Sequence, residues 1–356
     1  MRIAVLGAGA GGLATAAHLS LTGHKVSIWS AFEEELKPLR AQGGVRATGV
    51  VEGVAKLASI TADPAEALEG ADLILLVTTS QGHAPVAGAI APWVREGQVV
   101  VVCPGHTGGA LEVFRIFRER GAPFHVPVAE TYSLHYSSRI AEAGIVRVTT
   151  LKRTLPTAVL PARATSYAMG LIRQAYPQWA PRENALATSF QNVGGVLHVA
   201  PLILNAGRVE SGQRFQHYLE GITPSVAQVV LTTDRERLAV ARAYDASVLD
   251  VTSLLREVYG ASGDSLEEVR QVYQGSMAPM RLEHRYLLEE IPFSFVPLSA
   301  LAHLAGLTTP VTDSLVALGG ALLGRDFWAE GRSLGAMGLE GLSLERVRWY
   351  VETGER

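Results

Sequence analysis

One cysteine stands in 356 residues, Cys103, so the chain forms no internal disulfide and offers no cysteine-based metal site. Lysine is almost as scarce. Lys25, Lys37, Lys56 and Lys152 are all of it, and the second half has none. No uninterrupted apolar stretch is long enough to span a bilayer. With 18% charged residues and a net charge of −3, nothing suggests a nucleic-acid or membrane partner. The apolar N-terminus lacks the continuous core and small-residue cleavage site of a secretory signal, so a cytoplasmic protein is expected. What the chain does have is length for a large core and two domains.

The first nineteen residues organise the rest. Arg2-Ile3-Ala4-Val5-Leu6 reads as a strand and Leu13 to Leu19 as a helix. Between them runs Gly7-Ala8-Gly9-Ala10-Gly11-Gly12, which contains the spacing Gly7-x-Gly9-x-x-Gly12. Gly7 permits the tight turn, Gly9 lets a pyrophosphate approach the backbone, and Gly12 lets helix pack on strand. The helix N-terminus then presents free N–H groups to the phosphates. A second strand, Lys25 to Trp29, ends at Ser30, where the adenosine ribose is met. Ser30 is not the carboxylate that favours NAD. The glutamates 33–35 and the lack of an arginine nearby do not favour NADP either. The cofactor is NAD or NADP, undecided.

Further strand-like runs lie at Asp72 to Val77, Gln98 to Cys103 and Phe124 to Val128, with 144–150 and 157–160 completing one sheet. Ligands bind at the C-terminal edge of such sheets. That edge offers Thr78, Gln81 and His83 after the first run, His106 after the second, and Glu130 and Thr131 after the third. The plainer readings are exposed loop histidines and, for Glu130, a helix cap. From about residue 180 the periodicity turns helical. The expected architecture is an α/β Rossmann domain over 1–180, with a mostly parallel doubly wound sheet, then an all-α domain over 181–356.

His198 is a lone histidine on an apolar helical stretch, which by itself is more often a core residue than a catalyst. A Rossmann domain followed by a helical one also occurs in ketopantoate reductases, 6-phosphogluconate dehydrogenases and glycerol-3-phosphate dehydrogenases, whose acid/base is typically a lysine on the helical domain. This chain has no lysine there.

The later segments resemble the opine dehydrogenases, the octopine/nopaline group, in ordered blocks along most of the chain. These blocks are Val128-Ala129-Glu130-Thr131 with Tyr136 and Arg139, Asn192 through His198 to Glu210, Tyr218 to Ser225, Asp234-Arg235-Glu236-Arg237, Arg285-Tyr286-x-x-Glu289-Glu290-x-Pro292 and Gly331-Arg332-Ser333-Leu334. The resemblance implies condensation of an α-keto acid with the amine of an amino acid to an imine, reduced by NAD(P)H. It implies His198 as the acid, Arg285 as the bidentate anchor of a carboxylate and Glu290 as the partner of His198. Glu130 and Thr131 would face the amino donor. Gln81 and His106 would line the keto-acid side, and Thr78 and His83 the cofactor. Two positions depart from the family: Glu290 stands where it usually has Asp, and His135 where it usually has Pro. A keto-acid reductase without an amine partner and a catalytically silent dinucleotide sensor remain open, as does a homodimer through the helical half. No metal is expected.

Overall fold

Strand β1 (Arg2–Leu6) is the axis of the first unit, with all but Arg2 buried. In the computed structural model, which describes residues 1–356, contacts group Met1–Gly105, Gly109–Thr188 and Trp349–Glu355 into one unit. His106–Gly108, Ser189–Arg348 and Arg356 form a second. By contacts the division falls at 188/189, and three loop residues belong with the helices.

The other strands of the chain are β2 (Lys25–Trp29), β3 (Gly44–Gly49), β4 (Gly53–Lys56), β5 (Ser59–Thr61), β6 (Leu73–Leu76), β7 (Val99–Val102), β8 (Val128–Thr131), β9 (Tyr136–Glu142), β10 (Ile145–Leu151), β11 (Leu155–Leu160) and β12 (Trp179–Pro181). Seven of them join β1 in an eight-stranded sheet in the order β12-β11-β8-β7-β6-β1-β2-β5. Every pairing is parallel except β11 with β8. β1 lies between β2 and β6, so the strand order reverses beside it. That reversal opens a crevice at the carboxyl ends, the place where such sheets take a nucleotide. The runs Leu73–Leu76 and Val99–Val102 are buried at every residue, as parallel strands covered on both faces must be.

Two expectations need correction. Residues 144–150 do not complete this sheet. Strand β10 joins β3, β4 and β9 in a separate four-stranded sheet. Its alternation of buried Val146 and Val148 with exposed Arg147 and Thr149 is the signature of a sheet with one solvated face. The strand predicted at Phe124 to Val128 begins only at Val128, which puts Glu130 and Thr131 inside β8 rather than after it.

The second unit is helical and leans on two carboxylates of the helix Pro224–Ala243, of which Asp234 is buried. Asp234, 3% exposed, accepts from the Arg237 guanidinium at 2.6 and 2.8 Å, and Arg237 donates onward to the Leu249 carbonyl at 2.7 Å. Glu236 takes the backbone N–H groups of Val311 and Thr312, both at 2.9 Å, and so caps the helix Pro310–Leu323. The segment around Pro292 is continuous helix. Helix Arg285–Leu288 runs on through a wide π turn, Ile291–Phe295, into helix Val296–Leu304. The segment Arg285–Leu304 is long and apolar enough to cross a membrane, but 72% of it is buried in the protein, as in a core helix.

Two buried histidines make the fold acid-sensitive. Burial pushes His135 down to about 4, where Trp179 Nε1 donates to its Nδ1 at 3.3 Å, and pushes His217 down to about 3. Both folded values lie below the unfolded value of about 6.5. The unfolded chain therefore binds more protons, and stability is full above pH 6.5 and falls as pH drops toward 4. Urea midpoints should decline steadily from pH 7 to 5. His135→Phe should flatten that decline, which for this residue amounts to about 3 kcal/mol at most.

Candidate active site

In the helical unit the chemistry gathers where the π turn faces helix Gly194–Leu204. Gly194 is what permits the approach: a Cβ there would fall 2.5 Å from Glu290 Oε1. One helical turn on, His198 Nδ1 lies 2.8 Å from Glu290 Oε1. Since an ionised carboxylate only accepts, Nδ1 carries the proton and donates. Nε2 is then the nitrogen that gains and loses a proton, and it sits 3.1 Å from the Tyr218 hydroxyl. The imidazole stacks on Tyr286 at 3.9 Å and 3°. Its side chain is 22% exposed, open enough to meet a substrate, whereas the Glu290 side chain is 5% exposed.

Glu290 has more partners. Ser294 Oγ donates to Oε2 at 2.8 Å, and the Asn192 amide donates to Ser294 Oγ at 2.9 Å. His106 Nδ1 is 3.5 Å from the same oxygen. His106 Nε2 faces Glu289 Oε1 at 3.3 Å, an ion pair rather than an aligned hydrogen bond. Glu289 Oε2 meets the Arg285 guanidinium at 2.9 Å. Burial alone would raise both carboxyls, but the charged His106 ring between them outweighs it. Glu289 is held down at about 2, with Arg285 helping, and Glu290 well below the usual range, with His198 helping. Burial alone would lower His106. The two carboxylates lift it instead to about 9.

In the α/β unit the glycine loop is a cradle of the expected kind. A Cβ on Gly12 would fall 1.9 Å from the Gly7 carbonyl oxygen, and one on Gly7 2.2 Å from that of Val77. A Cβ on Gly9 would meet nothing within 4 Å. The loop is thus closed against side chains at its base and open at the N-terminus of helix Ala10–Leu21, which fits a pyrophosphate. Ala8, Ala10 and Gly11 complete this loop and its first helical turn. Ser30, 2% exposed, donates to Glu35 Oε2 at 2.6 Å and accepts from the Phe32 amide at 3.1 Å.

Not every expected residue lies in the open. Thr78 is partly exposed and Gln81 exposed, on the carboxyl side of β6. His83 is wholly buried in the first turn of helix His83–Ile90, not a loop residue facing the cofactor. Glu130 is wholly buried and accepts from Ala110 N at 2.8 Å and Thr188 Oγ1 at 2.7 Å, which caps helix Gly109–Glu119. Thr131, also buried, donates to the Ser133 carbonyl at 2.8 Å. Neither is placed to face an amino donor. His106 is 5% exposed and turned onto Glu289 and Glu290 rather than toward a substrate. Cys103 is a buried thiol pushed up to about 12 by burial, not a nucleophile. Sequence reasoning placed Asn192, Tyr218, Tyr286 and Glu289 in the family-like blocks without giving them a role, and missed Ser294. The signal available for Glu289 was its spacing four residues after Arg285, one helical turn.

A family model described as NAD/NADP octopine/nopaline dehydrogenase, alpha-helical domain, matches residues 181–323. One described as NAD-dependent glycerol-3-phosphate dehydrogenase N-terminus matches residues 2–107. An opine dehydrogenase of Arthrobacter sp. (strain 1C) is 40% identical over 353 residues, 98% of each chain. The chain belongs to the opine dehydrogenase family. It is an NAD(P)-dependent dehydrogenase acting on CH–NH bonds. Octopine dehydrogenase of Pecten maximus is 23% identical, over 78% of this chain and 76% of its own. The fold is also that of a solved octopine dehydrogenase in complex with NADH and agmatine, with a TM-score of 0.82 at 21% identity, covering 100% of this chain and 98% of that one.

The cradle makes a sharp prediction. In this opine dehydrogenase Gly12→Ala forces a Cβ onto a backbone oxygen that cannot yield cheaply. NADH binding, followed by fluorescence titration, should be lost or weakened at least tenfold. The melting temperature should fall by several degrees, as for other overpacked sites costing about 1–3 kcal/mol.

Proposed function

We propose that this opine dehydrogenase joins an α-keto acid to the amine of an amino acid and reduces the resulting imine to a secondary amine dicarboxylate, with NADH as the preferred reductant. The observation that carries the chemistry is the His198–Glu290 pair, 2.8 Å apart, with the second ring nitrogen free to exchange its proton beside Tyr218. The nicotinamide, when bound, supplies the hydride. The amine adds to the keto carbon, and the hydroxyl formed there leaves as water only if it gains a proton. His198 Nε2–H gives that proton, and in the reverse direction takes it back. Glu290 fixes the tautomer and balances the charge of the protonated ring, as a carboxylate does in other acid/base pairs. Arg285, whose side chain is 54% exposed, offers a planar fork for the keto-acid carboxylate on the side turned away from Glu289. Solved structures of octopine dehydrogenase with NADH and L-arginine and with NADH and pyruvate support this substrate pair.

The preference for NADH rests on Ser30. Its hydroxyl holds the Glu35 carboxylate at the end of β2, which restores an acidic acceptor for ribose hydroxyls where the strand itself ends in serine. The cations that follow in the chain already have partners, Lys37 with Glu34 and Arg40 with Glu33 and the Ile60 carbonyl, and the glutamates among them disfavour a 2′-phosphate. NADH should bind at least tenfold more tightly than NADPH, and Glu35→Arg should reverse that order in a fluorescence titration.

Oxidation of NADH should require a keto acid and an amine together, tested as a matrix of each alone and in pairs. Oxidation with a keto acid alone would mark a simple carbonyl reductase. Tight binding with no turnover on any pair would mark a sensor. His198→Ala should keep NADH binding and lose turnover by roughly a hundredfold or more. Near-normal turnover in that variant would remove His198 from the mechanism.

A further inference from the structure

The proposed reaction uses His198, Glu290 and Arg285. It leaves unused a buried titratable side chain next to them, His106. That ring lies in a line of groups of alternating sign. The Arg285 guanidinium is 2.9 Å from Glu289 Oε2. Glu289 Oε1 is 3.3 Å from His106 Nε2. His106 Nδ1 is 3.5 Å from Glu290 Oε2. Glu290 Oε1 is 2.8 Å from His198 Nδ1. Each carboxylate spends one oxygen on each neighbour, and His106 spends one nitrogen on each carboxylate. Nδ1 also lies 3.3 Å from Ser294 Oγ and from the Asn192 amide nitrogen. No other charged side chain faces the ring.

The backbone is built to keep the ring there. His106 has φ +53°, a left-handed conformation that non-glycine residues seldom adopt. Three bonds lock the loop. Thr107 N donates to the Phe293 carbonyl at 3.0 Å, and the buried Arg332 donates to the Thr107 carbonyl at 2.7 Å. Gly108 N donates to Ser189 Oγ at 3.0 Å. Backbone strain of this kind persists only where the surroundings over-determine it.

We propose that His106 is a positioning residue for the acid/base pair: a permanent buried cation that keeps the adjacent carboxylates of Glu289 and Glu290 both ionised and holds the Glu290 side chain aimed at His198. The reasoning is electrostatic. Two neighbouring carboxylates buried together cannot both stay charged without a cation between them. Arg285 can satisfy only Glu289, and His198 must be free to lose its proton during turnover. Of the two cations beside Glu290, His106 is the one that need never change state. It also meets a geometric need. Glutamate carries an extra methylene and an extra rotatable bond, and His106 with Ser294 pins the oxygen that does not face His198. A second consequence concerns His198. A fixed positive charge on the far side of Glu290 weakens the pull of that carboxylate on the His198 proton, so the ring releases it more readily.

This inference rests on His198 as the acid/base group, but its first test does not. In histidine-labelled protein, with the His106 ring assigned through bonds from the Gly105–Thr107 backbone, the ring should remain an imidazolium at pH 8. Titration near the ordinary value of about 6.5 would overturn the proposal. The second test uses His106→Asn, which tolerates the left-handed backbone and removes the charge. NADH affinity should be unchanged. The limb of the kcat/KM profile that reports the acid/base group should move up by about one pH unit. A limb that stays in place, or moves down, would assign His106 a packing role only. His106→Gln provides the same comparison should the Asn variant fold poorly, and the titration of the unaltered protein stands without either.

Discussion

Two consecutive glutamates, both buried, are the constraint around which the helical half is arranged. Unpaired, each ionised carboxylate would cost several kcal/mol to hold out of water. Everything near them reduces that cost. Arg285 comes from one turn earlier, Ser294 from one turn later, His198 from a neighbouring helix, and His106 from a loop far away in sequence. The result is a charge-alternating line in place of a repulsive pair. Its two ends, Arg285 and His198, are also its most exposed members, with side chains 54% and 22% open. The buried part is fixed and the working part is accessible, which is the arrangement a preorganised site needs.

The backbone devices that build this line are small. The π turn at Ile291–Phe295 widens the helix just after Glu290, and such turns are often found at functional positions. Gly194 lets the His198 helix approach Glu290, and the adjacent Gly195 leaves room for Phe295, whose ring would lie 2.7 Å from a Cβ there. The glutamate that stands where the family usually has Asp is accommodated here. The longer side chain still reaches His198 at hydrogen-bond distance while its other oxygen is tied to Ser294.

Much of this was legible in the sequence. The glycine loop, the strands on either side of it and the trio His198, Arg285 and Glu290 are local or block-like patterns, and the structure brings His198 and Glu290 together. What stayed hidden was set by tertiary context. Glu130 looked like an edge residue because the strand appeared to end before it. Its burial as a helix cap depends on Ala110 and Thr188, which no local pattern links to it. His106 looked like an exposed loop histidine because its burial depends on a strained backbone and on partners some 180 residues later. The second sheet was missed for a different reason. The alternation in β10 was present in the sequence but was merged with the continuous apolar runs of the main sheet.

The assignment of His106–Gly108 to the helical unit, although the residues on either side belong to the α/β unit, bears on how such a protein can be recombined. The two halves do not part at a single point in the gene. A chimera joined at 188/189 would carry Glu289 and Glu290 from one parent and the residue at position 106 from the other. Natural exchange of cofactor domains between relatives would meet the same obstacle. The buried line then acts as a compatibility lock: a foreign α/β half bearing a neutral residue at that position would leave Glu290 with no cation but the titrating His198, so both segments are expected to be inherited together.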